Sequence, residues 1–184
     1  MKSNLHISLT EFKNESRVIK QTRTMINNGI VDRVFIAAIH KTGLDEYQKM
    51  SNQILLHRCR LTSGRLPRVF FLQLVKYLEF SLRIFWYYRG KNIKLINIHS
   101  LGLLPLGVFL KVFYHSKLIY DIHELETETN GLAGFRKMMS KLIERFFIKK
   151  IDKTIVVSNS IANHYKNKYG IERPLVVFNT PNLR

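Results

Sequence analysis

The stretch KLINIHSLGLLPLGVFLKVFYHSKLIYDIHELETE, residues 94–128, decides the fold class. It contains two short apolar runs, 94–99 and 117–122, with the length and composition of strands that are buried on both faces. Ser100 follows the first run and is placed to cap a helix. Strands that alternate with helices in this way predict right-handed crossover connections between parallel strands.

The same alternation continues along the rest of the chain. Further strand candidates are 5–9, 33–39, 53–61, 153–158 and 174–178, and helical patterns cover 16–29, 67–90 and 158–170. Each helical pattern ends close to a glycine, and Ser158 fits the N-cap of the last one. We therefore predict an α/β fold: a Rossmann-like, doubly wound parallel sheet of about seven strands, with helices on both faces.

The composition limits the class of protein. A chain of 184 residues with 46% hydrophobic residues suits one sizeable domain. Cys59 is the only cysteine, which excludes an intrachain disulfide and a zinc site built on cysteines, and fits a reducing cytosolic setting. The N-terminus lacks the apolar segment of a secretory signal, and the nearly uncharged stretch 95–110 is too short to span a membrane. We expect a soluble protein.

The net charge of +17 implies a partner of opposite sign: nucleic acid, anionic lipid or a phosphorylated small molecule. Two regions, 65–94 and 136–153, carry much of the excess of basic over acidic residues. The first of them contains the aromatic run Phe85–Tyr88 near its end. Basic amphipathic helices with bulky aromatic residues suit an anionic membrane surface, whereas the simpler alternative is that their apolar stripes cover the sheet. No recognition motif accompanies the charge, so we expect no nucleic-acid partner.

Ligands of such folds bind beyond the carboxyl ends of the strands. The loop after the first strand contains no glycine, and none occurs anywhere before Asn28. It therefore carries neither a dinucleotide fingerprint nor a P-loop. Glu15, Ser16 and Arg17 begin the first helix there, where free N–H groups and the guanidinium could hold an anionic oxygen. The alternative is an ordinary helix start.

Polar residues also follow the later strands. His99 and Ser100 lie at the tip of the fourth strand, where His99 is either a structural hydrogen-bonding group or a residue that exchanges protons. Ser158 caps the helix after the sixth strand, or binds a phosphate or sugar hydroxyl.

The fifth strand ends in an acidic segment. Asp121 and His123 alternate along it and point to one side, as metal ligands can, but no further ligand cluster follows, so we predict no metal site. His123 with Glu124 could position or deprotonate a hydroxyl. We assign a structural role to Asp121 and expect Glu126 and Glu128 to lie in a solvated loop.

Three stretches together resemble a known family. They are NESRVIKQTRTMINNG (14–29), LINIHSLGLLPLGVFLKVFYHSKLIYDIHELETE (95–128) and IDKTIVVSNSIANHYKNKYGIERPLVVFNTPN (151–182). They are similar to the N-terminal half of group 1 glycosyltransferases of the GT-B fold. Members typically read D-S-R-V in the first helix, H-x-H-D and Y-D-x-H-E after the fourth and fifth strands, V-S-x-S-I-A in the sixth strand–helix unit, and V-x-N-x-P at the crossover to the second domain.

The resemblance implies an acceptor-binding N-terminal domain, a second domain that binds the nucleotide-sugar, and reaction between them without an essential metal. His123 and Glu124 would be the catalytic candidates, with His123 near the transferred sugar. The acceptor side would be lined by Glu15, Ser16, Arg17, His99, Ser100 and Ser158. Asn179 and Pro181 would mark the hinge. No cofactor is implied, because the nucleotide-sugar is a co-substrate.

We accordingly assign residues 1–178 to the acceptor-side domain and 179–184 to the start of the hinge. The donor-binding domain lies outside this sequence, so we expect a fragment or one half of a split enzyme that is inactive alone. One departure from the family is Lys13-Asn14-Glu15, which replaces the glycine-rich first loop of many members.

The implied function is transfer of a sugar, of the hexosyltransferase type, to a lipid-linked or polysaccharide acceptor in cell-surface glycan biosynthesis. The location would be cytoplasmic, peripheral at the inner face of the cell membrane. The alternative is a non-catalytic Rossmann-like module that docks on a partner subunit or on an anionic membrane.

Overall fold

The computed structural model describes residues 1–13, 15–67, 69–128 and 133–178. The strands in these segments are β1 Ser3–Ile7, β2 Arg33–Ile39, β3 Tyr47–Lys49, β4 Ile54–Cys59, β5 Ile93–Ile98, β6 Lys117–Ile122, β7 Lys153–Val156 and β8 Leu175–Val176. The α-helices are α1 Ser16–Asn27, α2 Phe70–Tyr88, α3 Leu104–Tyr114, α4 Gly134–Phe147 and α5 Asn159–Tyr169. The strands form an eight-stranded, mostly parallel sheet, so the predicted Rossmann-like α/β fold is confirmed. The chain divides into two compact units, 1–95 and 96–184.

The first unit is organised around β1, β2 and β4, with strand order β3-β4-β2-β1. β1 and β4 both pair in parallel with β2, while the short edge strand β3 runs antiparallel to β4. Helix α1 presents Val18 to a core that includes Val34, Ile36 and Leu56. The chain turns after α1 at Gly29, whose φ of +65° favours glycine over other residues.

Helix α2, in the same unit, has two apolar faces. Phe80, Ile84 and Tyr88 repeat at four-residue spacing and are buried. Other large apolar side chains of α2 are exposed: Phe70, Phe71, Leu74, Val75, Leu78, Leu82 and Trp86. Trp86, in the aromatic run 85–88, is 61% exposed. One apolar side of α2 is therefore buried and a second apolar side is exposed to solvent, and an exposed apolar patch of this kind needs an explanation.

The second unit contains β6, β7 and β8, which pair in parallel in that order. Helix α3 precedes β6 and buries Leu104, Leu106 and Leu110. At Gly107 an added Cβ would lie 3.1 Å from Leu118 Cδ1 and 3.2 Å from Ile98 side-chain carbons. Glycine therefore lets α3 approach the strands closely.

Helices α4 and α5 of the second unit share a buried polar contact. Glu144 of α4 is 1% exposed and accepts hydrogen bonds from the hydroxyl groups of Tyr165 and Tyr169 on α5. Burial and the Glu144 carboxylate raise the pKa of both tyrosines, so they remain protonated donors at neutral pH. Because both tyrosine hydroxyl groups have a partner, the helix pair buries polar atoms without leaving them unsatisfied.

The structure differs from the sequence prediction mainly at short elements. The predicted strand 53–61 shortens to Ile54–Cys59 and 174–178 shortens to Leu175–Val176. Strand β3 was not predicted, because its three residues are exposed and lack an apolar alternation. Among the helices in the described segments, none combines the length and apolarity needed to cross a membrane.

Candidate functional site

Three side chains meet at the carboxyl ends of β5 and β6 in the second unit. His99 directly follows β5, Asp121 is the next-to-last residue of β6, and His123 directly follows β6. Asp121 Oδ2 lies 3.6 Å from His99 Nδ1 and 3.6 Å from His123 Nε2. The alternation of Asp121 and His123 along the chain thus places both on one side, as the sequence predicted. We call these three residues the His–Asp–His cluster.

The members of the His–Asp–His cluster differ in exposure. Asp121 is fully buried, the His99 side chain is 7% exposed, and the His123 side chain is 38% exposed. A separation of 3.6 Å is too long for a direct hydrogen bond, but a buried carboxylate at this distance still attracts and orients an imidazole. The arrangement leaves part of the His123 ring accessible and backed by an acidic group, which suits binding or proton exchange at a hydroxyl.

The same cluster offers two imidazoles and a carboxylate to a metal ion. One ligand atom from each residue lies within 4.8 Å of the others, and zinc accepts such a set. From the sequence, only Asp121 and His123 were weighed as metal ligands, and the position of His99 beside them was not predicted. Sequence position alone could have suggested it, because both histidines follow strands that end at the same edge of the sheet. The absence of a required metal stays a prediction.

Glu126 contradicts the prediction of a solvated loop. Its Oε1 accepts hydrogen bonds from the Leu101 backbone N–H at 2.8 Å and from the Tyr120 hydroxyl at 3.1 Å. Burial raises the pKa of Glu126 even though both hydrogen bonds act in the opposite direction. Glu126 therefore ties the loop after β6 to the turn after β5, next to the His–Asp–His cluster.

Ser100 was expected to cap the helical segment that begins at Leu101, and this is wrong. The Ser100 side chain makes no capping hydrogen bond, and the Leu101 N–H donates to Glu126 Oε1. The Ser100 hydroxyl is buried and has no hydrogen-bond partner among the described residues. Its predicted contact with an acceptor stays a prediction.

The other acidic residues of this loop are exposed. Glu124, beside His123, is exposed, and its catalytic role stays a prediction. Glu128 is exposed as predicted, and the ammonium groups of Lys137 and Lys141, each 3.1 Å away, lower its pKa to about 2.

Ser158 caps α5 as the sequence predicted. Its Oγ accepts a hydrogen bond from the Ile161 N–H at 3.3 Å and lies 2.9 Å from Ser160 Oγ. Because the capping bond engages only one acceptor position of the hydroxyl, the cap leaves room for a ligand contact, which stays a prediction.

The remaining candidates begin α1 in the first unit. Glu15 makes no capping contact with α1 and instead accepts a hydrogen bond from Thr10 Oγ1 at 3.0 Å. Ser16 is exposed, whereas Arg17 is only 7% exposed. The acceptor roles of these three residues stay predictions. The hinge candidates Asn179 and Pro181 lie outside the described residues.

Comparison with protein families decides the family of this chain. A family model described as Glycosyltransferase Family 4 matches residues 25–181. The chain belongs to Glycosyltransferase Family 4. The predicted resemblance to the N-terminal domain of GT-B glycosyltransferases is confirmed, and the His–Asp–His cluster lies within the matched residues.

Solved structures of similar fold include known glycosyltransferases. Two structures of sucrose-phosphate synthase from Thermosynechococcus elongatus are 14% and 12% identical, with TM-scores of 0.67 and 0.72. The alignments cover 98% and 97% of this chain and 89% and 47% of those chains. HepE from Anabaena, in complex with UDP-glucose, is 12% identical with a TM-score of 0.60, over 98% of this chain and 44% of its own.

At these identities the likeness concerns the fold. The chain spans about half the length of HepE and of the longer sucrose-phosphate synthase structure. A search among curated proteins finds no match.

Proposed function

We propose that this chain is the acceptor-binding domain of a glycosyltransferase that acts in cell-surface glycan biosynthesis. The reaction moves a hexosyl group from a nucleotide-sugar to a lipid-linked or polysaccharide acceptor. Membership of Glycosyltransferase Family 4 supports glycosyl transfer in general. The complex of the structural neighbour HepE with UDP-glucose supports a nucleotide-sugar as the donor.

The observation that carries the proposal is an accessible histidine held beside a buried carboxylate. In the reaction the bond between the sugar and the diphosphate breaks, a bond to an acceptor oxygen forms, and the acceptor hydroxyl loses its proton. His123 orients a hydroxyl or receives a proton, and Asp121 fixes the imidazole. Glu124, exposed next to His123, is the second catalytic candidate. We propose no metal and no cofactor for these steps.

The donor site belongs to a second domain in this proposal. Residues 1–178 supply the acceptor side, and the hinge begins at residue 179. The chain spans about half of HepE, which supports this division. Transfer needs both sides because the transition state is stabilised by contacts from each, so the acceptor-side domain is inactive without the donor-binding domain, whichever polypeptide carries it.

We further propose that the protein is cytoplasmic and binds peripherally to the inner face of the cell membrane. Exposed apolar side chains on α2 and, separately, on α4 support this, since they lie on helices of a chain with a net charge of +17. On α4 these are Phe135, Met138, Leu142 and Phe146, at spacings of three and four residues. Such stripes can enter the interface while lysine and arginine contact anionic headgroups.

Sugar transfer is the test of the proposed function. The natural protein, together with its donor-binding domain, is incubated with a panel of nucleotide-sugars and with either a lipid extract or soluble polysaccharide. We expect labelled product with at least one acceptor class and none when the donor-binding domain is omitted. Absence of transfer from every nucleotide-sugar to both classes would contradict the proposal and favour a docking module.

Vesicle flotation tests the membrane proposal. The chain is mixed with vesicles of phosphatidylcholine, or of phosphatidylcholine with phosphatidylglycerol, at increasing salt. We expect recovery with the anionic vesicles that falls as salt rises, because the attraction is partly electrostatic. Equal recovery with both vesicles would contradict it.

A further inference from the structure

A cationic pocket lies at the carboxyl ends of β2 and β4 in the first unit. Its volume is about 850 Å³, within the usual size range of small-molecule sites. It is lined by the loop after β2, by Arg60 and Leu61 after β4, by the short 3-10 helix Thr62–Arg65 and by one side of α2. None of the predicted site residues lines it.

Four lysine and arginine side chains line this pocket: Lys41, Arg60, Arg65 and Lys76. No carboxylate is among the lining residues in the described part of the chain. Lys41 is paired with Glu11, at 3.1 Å, and Lys76 donates to the backbone carbonyls of Gly64 and Leu66. Two of the four cations thus have protein partners.

The two arginines differ from these lysines. Within the segments that the structure describes, neither Arg60 nor Arg65 makes a hydrogen bond or an ion pair, and both are exposed. Arginine presents a planar fork of donors that matches the oxygens of a phosphate. Two such forks at one pocket, with no acidic neighbour lining it, form a site for a doubly charged anion.

The wall that carries Arg65 is held in place by Glu79 of α2. Its carboxylate accepts hydrogen bonds from the backbone N–H groups of Thr62 and Ser63, at 2.7 and 2.8 Å, and from Arg83 Nε at 2.8 Å. Burial alone would raise the pKa of Glu79, but the Ser63 hydroxyl, which also donates to the carboxylate, and these three hydrogen bonds lower it to about 2. The Glu79 carboxylate is therefore charged at neutral pH. The 3-10 helix is therefore fixed before a ligand arrives.

The remaining lining groups suit the organic part of a phosphorylated ligand. Leu61 and Phe80 contribute apolar surface, Tyr77 an aromatic ring, and Gln73 and Thr42 polar groups. An apolar and aromatic wall with a few polar groups binds the ring face and hydroxyls of a saccharide.

We infer that this pocket binds the phosphate of a phosphorylated acceptor through Arg60 and Arg65, with the adjoining sugar against Tyr77 and Leu61. The inference rests on the proposed function, since it names the chemical class of the acceptor. The phosphate belongs either to a lipid-linked saccharide or to a soluble sugar phosphate.

Calorimetry with inorganic pyrophosphate tests the site. The variant Arg60→Gln/Arg65→Gln is compared with Arg23→Gln/Arg89→Gln, which removes the same charge from two exposed arginines that do not line the pocket. We expect affinity to fall about tenfold or more per pocket arginine, and little in the control. Equal loss in both double variants, or no binding by the wild type, would overturn the inference. The thermal transition of each variant, expected to be unchanged because these side chains are exposed, checks folding.

Vesicles distinguish the two sources of the phosphate. If the ligand is a lipid, phosphatidic acid in phosphatidylcholine vesicles recruits the wild type, and the pocket variant loses this recruitment more than the control does. If it is soluble, pyrophosphate binding depends on Arg60 and Arg65, while recruitment falls equally in both double variants. Either result supports the phosphate site.

Sugar transfer measured in parallel separates this inference from the proposed function. Arginine-dependent pyrophosphate binding without transfer by the complete enzyme would contradict the proposed function and leave the phosphate site standing. Transfer by a pocket variant that still binds pyrophosphate like the wild type would overturn the site and leave the function standing.

Discussion

The replacement Glu126→Ala should destabilise the protein strongly although Glu126 lies in a loop. It removes the acceptor of two hydrogen bonds, from the Leu101 N–H at 2.8 Å and the Tyr120 hydroxyl at 3.1 Å. Leu101 is 4% exposed and Tyr120 is fully buried, so water does not readily replace the lost partner. At about 1–1.5 kcal/mol for each bond, we expect the free energy of unfolding to fall by about 2–3 kcal/mol.

Urea denaturation followed by circular dichroism measures this loss, with Glu128→Ala as the matched control. Glu126 and Glu128 both belong to a short 3-10 helix within this loop, Glu126–Glu128, but Glu128 is exposed and its contacts to Lys137 and Lys141 are surface ion pairs. Its removal should therefore have little effect on stability. Equal midpoints for the two variants would refute the argument that Glu126 joins the two loops.

The raised pKa of Glu126 adds a prediction about pH. Burial disfavours the charged carboxylate in the folded state. The protein therefore loses stability as the pH rises from the pKa that Glu126 has in the unfolded chain through its raised pKa in the folded protein. Glu126→Gln keeps an oxygen acceptor and cannot ionise. The free energy of unfolding of Glu126→Gln relative to that of the wild type should therefore increase between pH 4 and 7, by an amount set by the size of the pKa shift of Glu126. A difference that is independent of pH, or that decreases, would show that burial does not raise this pKa.

Three further predictions follow from the second unit. Gly107→Ala should gain about 1 kcal/mol of helix propensity but lose about 1–3 kcal/mol to crowding against Ile98 and Leu118, so urea denaturation should show net destabilisation; a stabilised variant would contradict the close approach. Ser158→Ala should lower the free energy of unfolding by about 1 kcal/mol through loss of the α5 cap, whereas an unchanged midpoint would contradict the capping role. Dialysis of the complete enzyme against EDTA should leave sugar transfer unchanged; loss of activity that zinc restores would assign a metal to the His–Asp–His cluster.

Much of the fold could be predicted because its signals are local. Strands with a short apolar run, such as 117–122, and helix ends marked by Ser158 and Gly170 can be recognised from the neighbouring residues alone. Strand β3 escaped prediction because an exposed edge strand is specified by its partner, β4, rather than by its own pattern.

The site could be predicted in part for a related reason. His123 was found from its position after a strand, but the distance of His99 from Asp121 depends on how β5 and β6 align, which neither strand's own pattern determines. Glu126 was wrongly assigned to a solvated loop, because an acidic residue among other acidic residues is usually exposed to solvent. Its partners, Leu101 and Tyr120, are 25 and 6 residues away, so only the folded chain reveals that it is half-buried and hydrogen-bonded.

The most direct test of the central claim is the turnover of His123→Ala in the complete enzyme, measured as sugar transfer from the nucleotide-sugar. The histidine control is His164→Ala, a residue of α5 outside the His–Asp–His cluster. If His123 orients or deprotonates a hydroxyl, kcat should fall by about 100-fold or more, while the control retains wild-type turnover. A His123→Ala enzyme with the same kcat as its control would contradict the account.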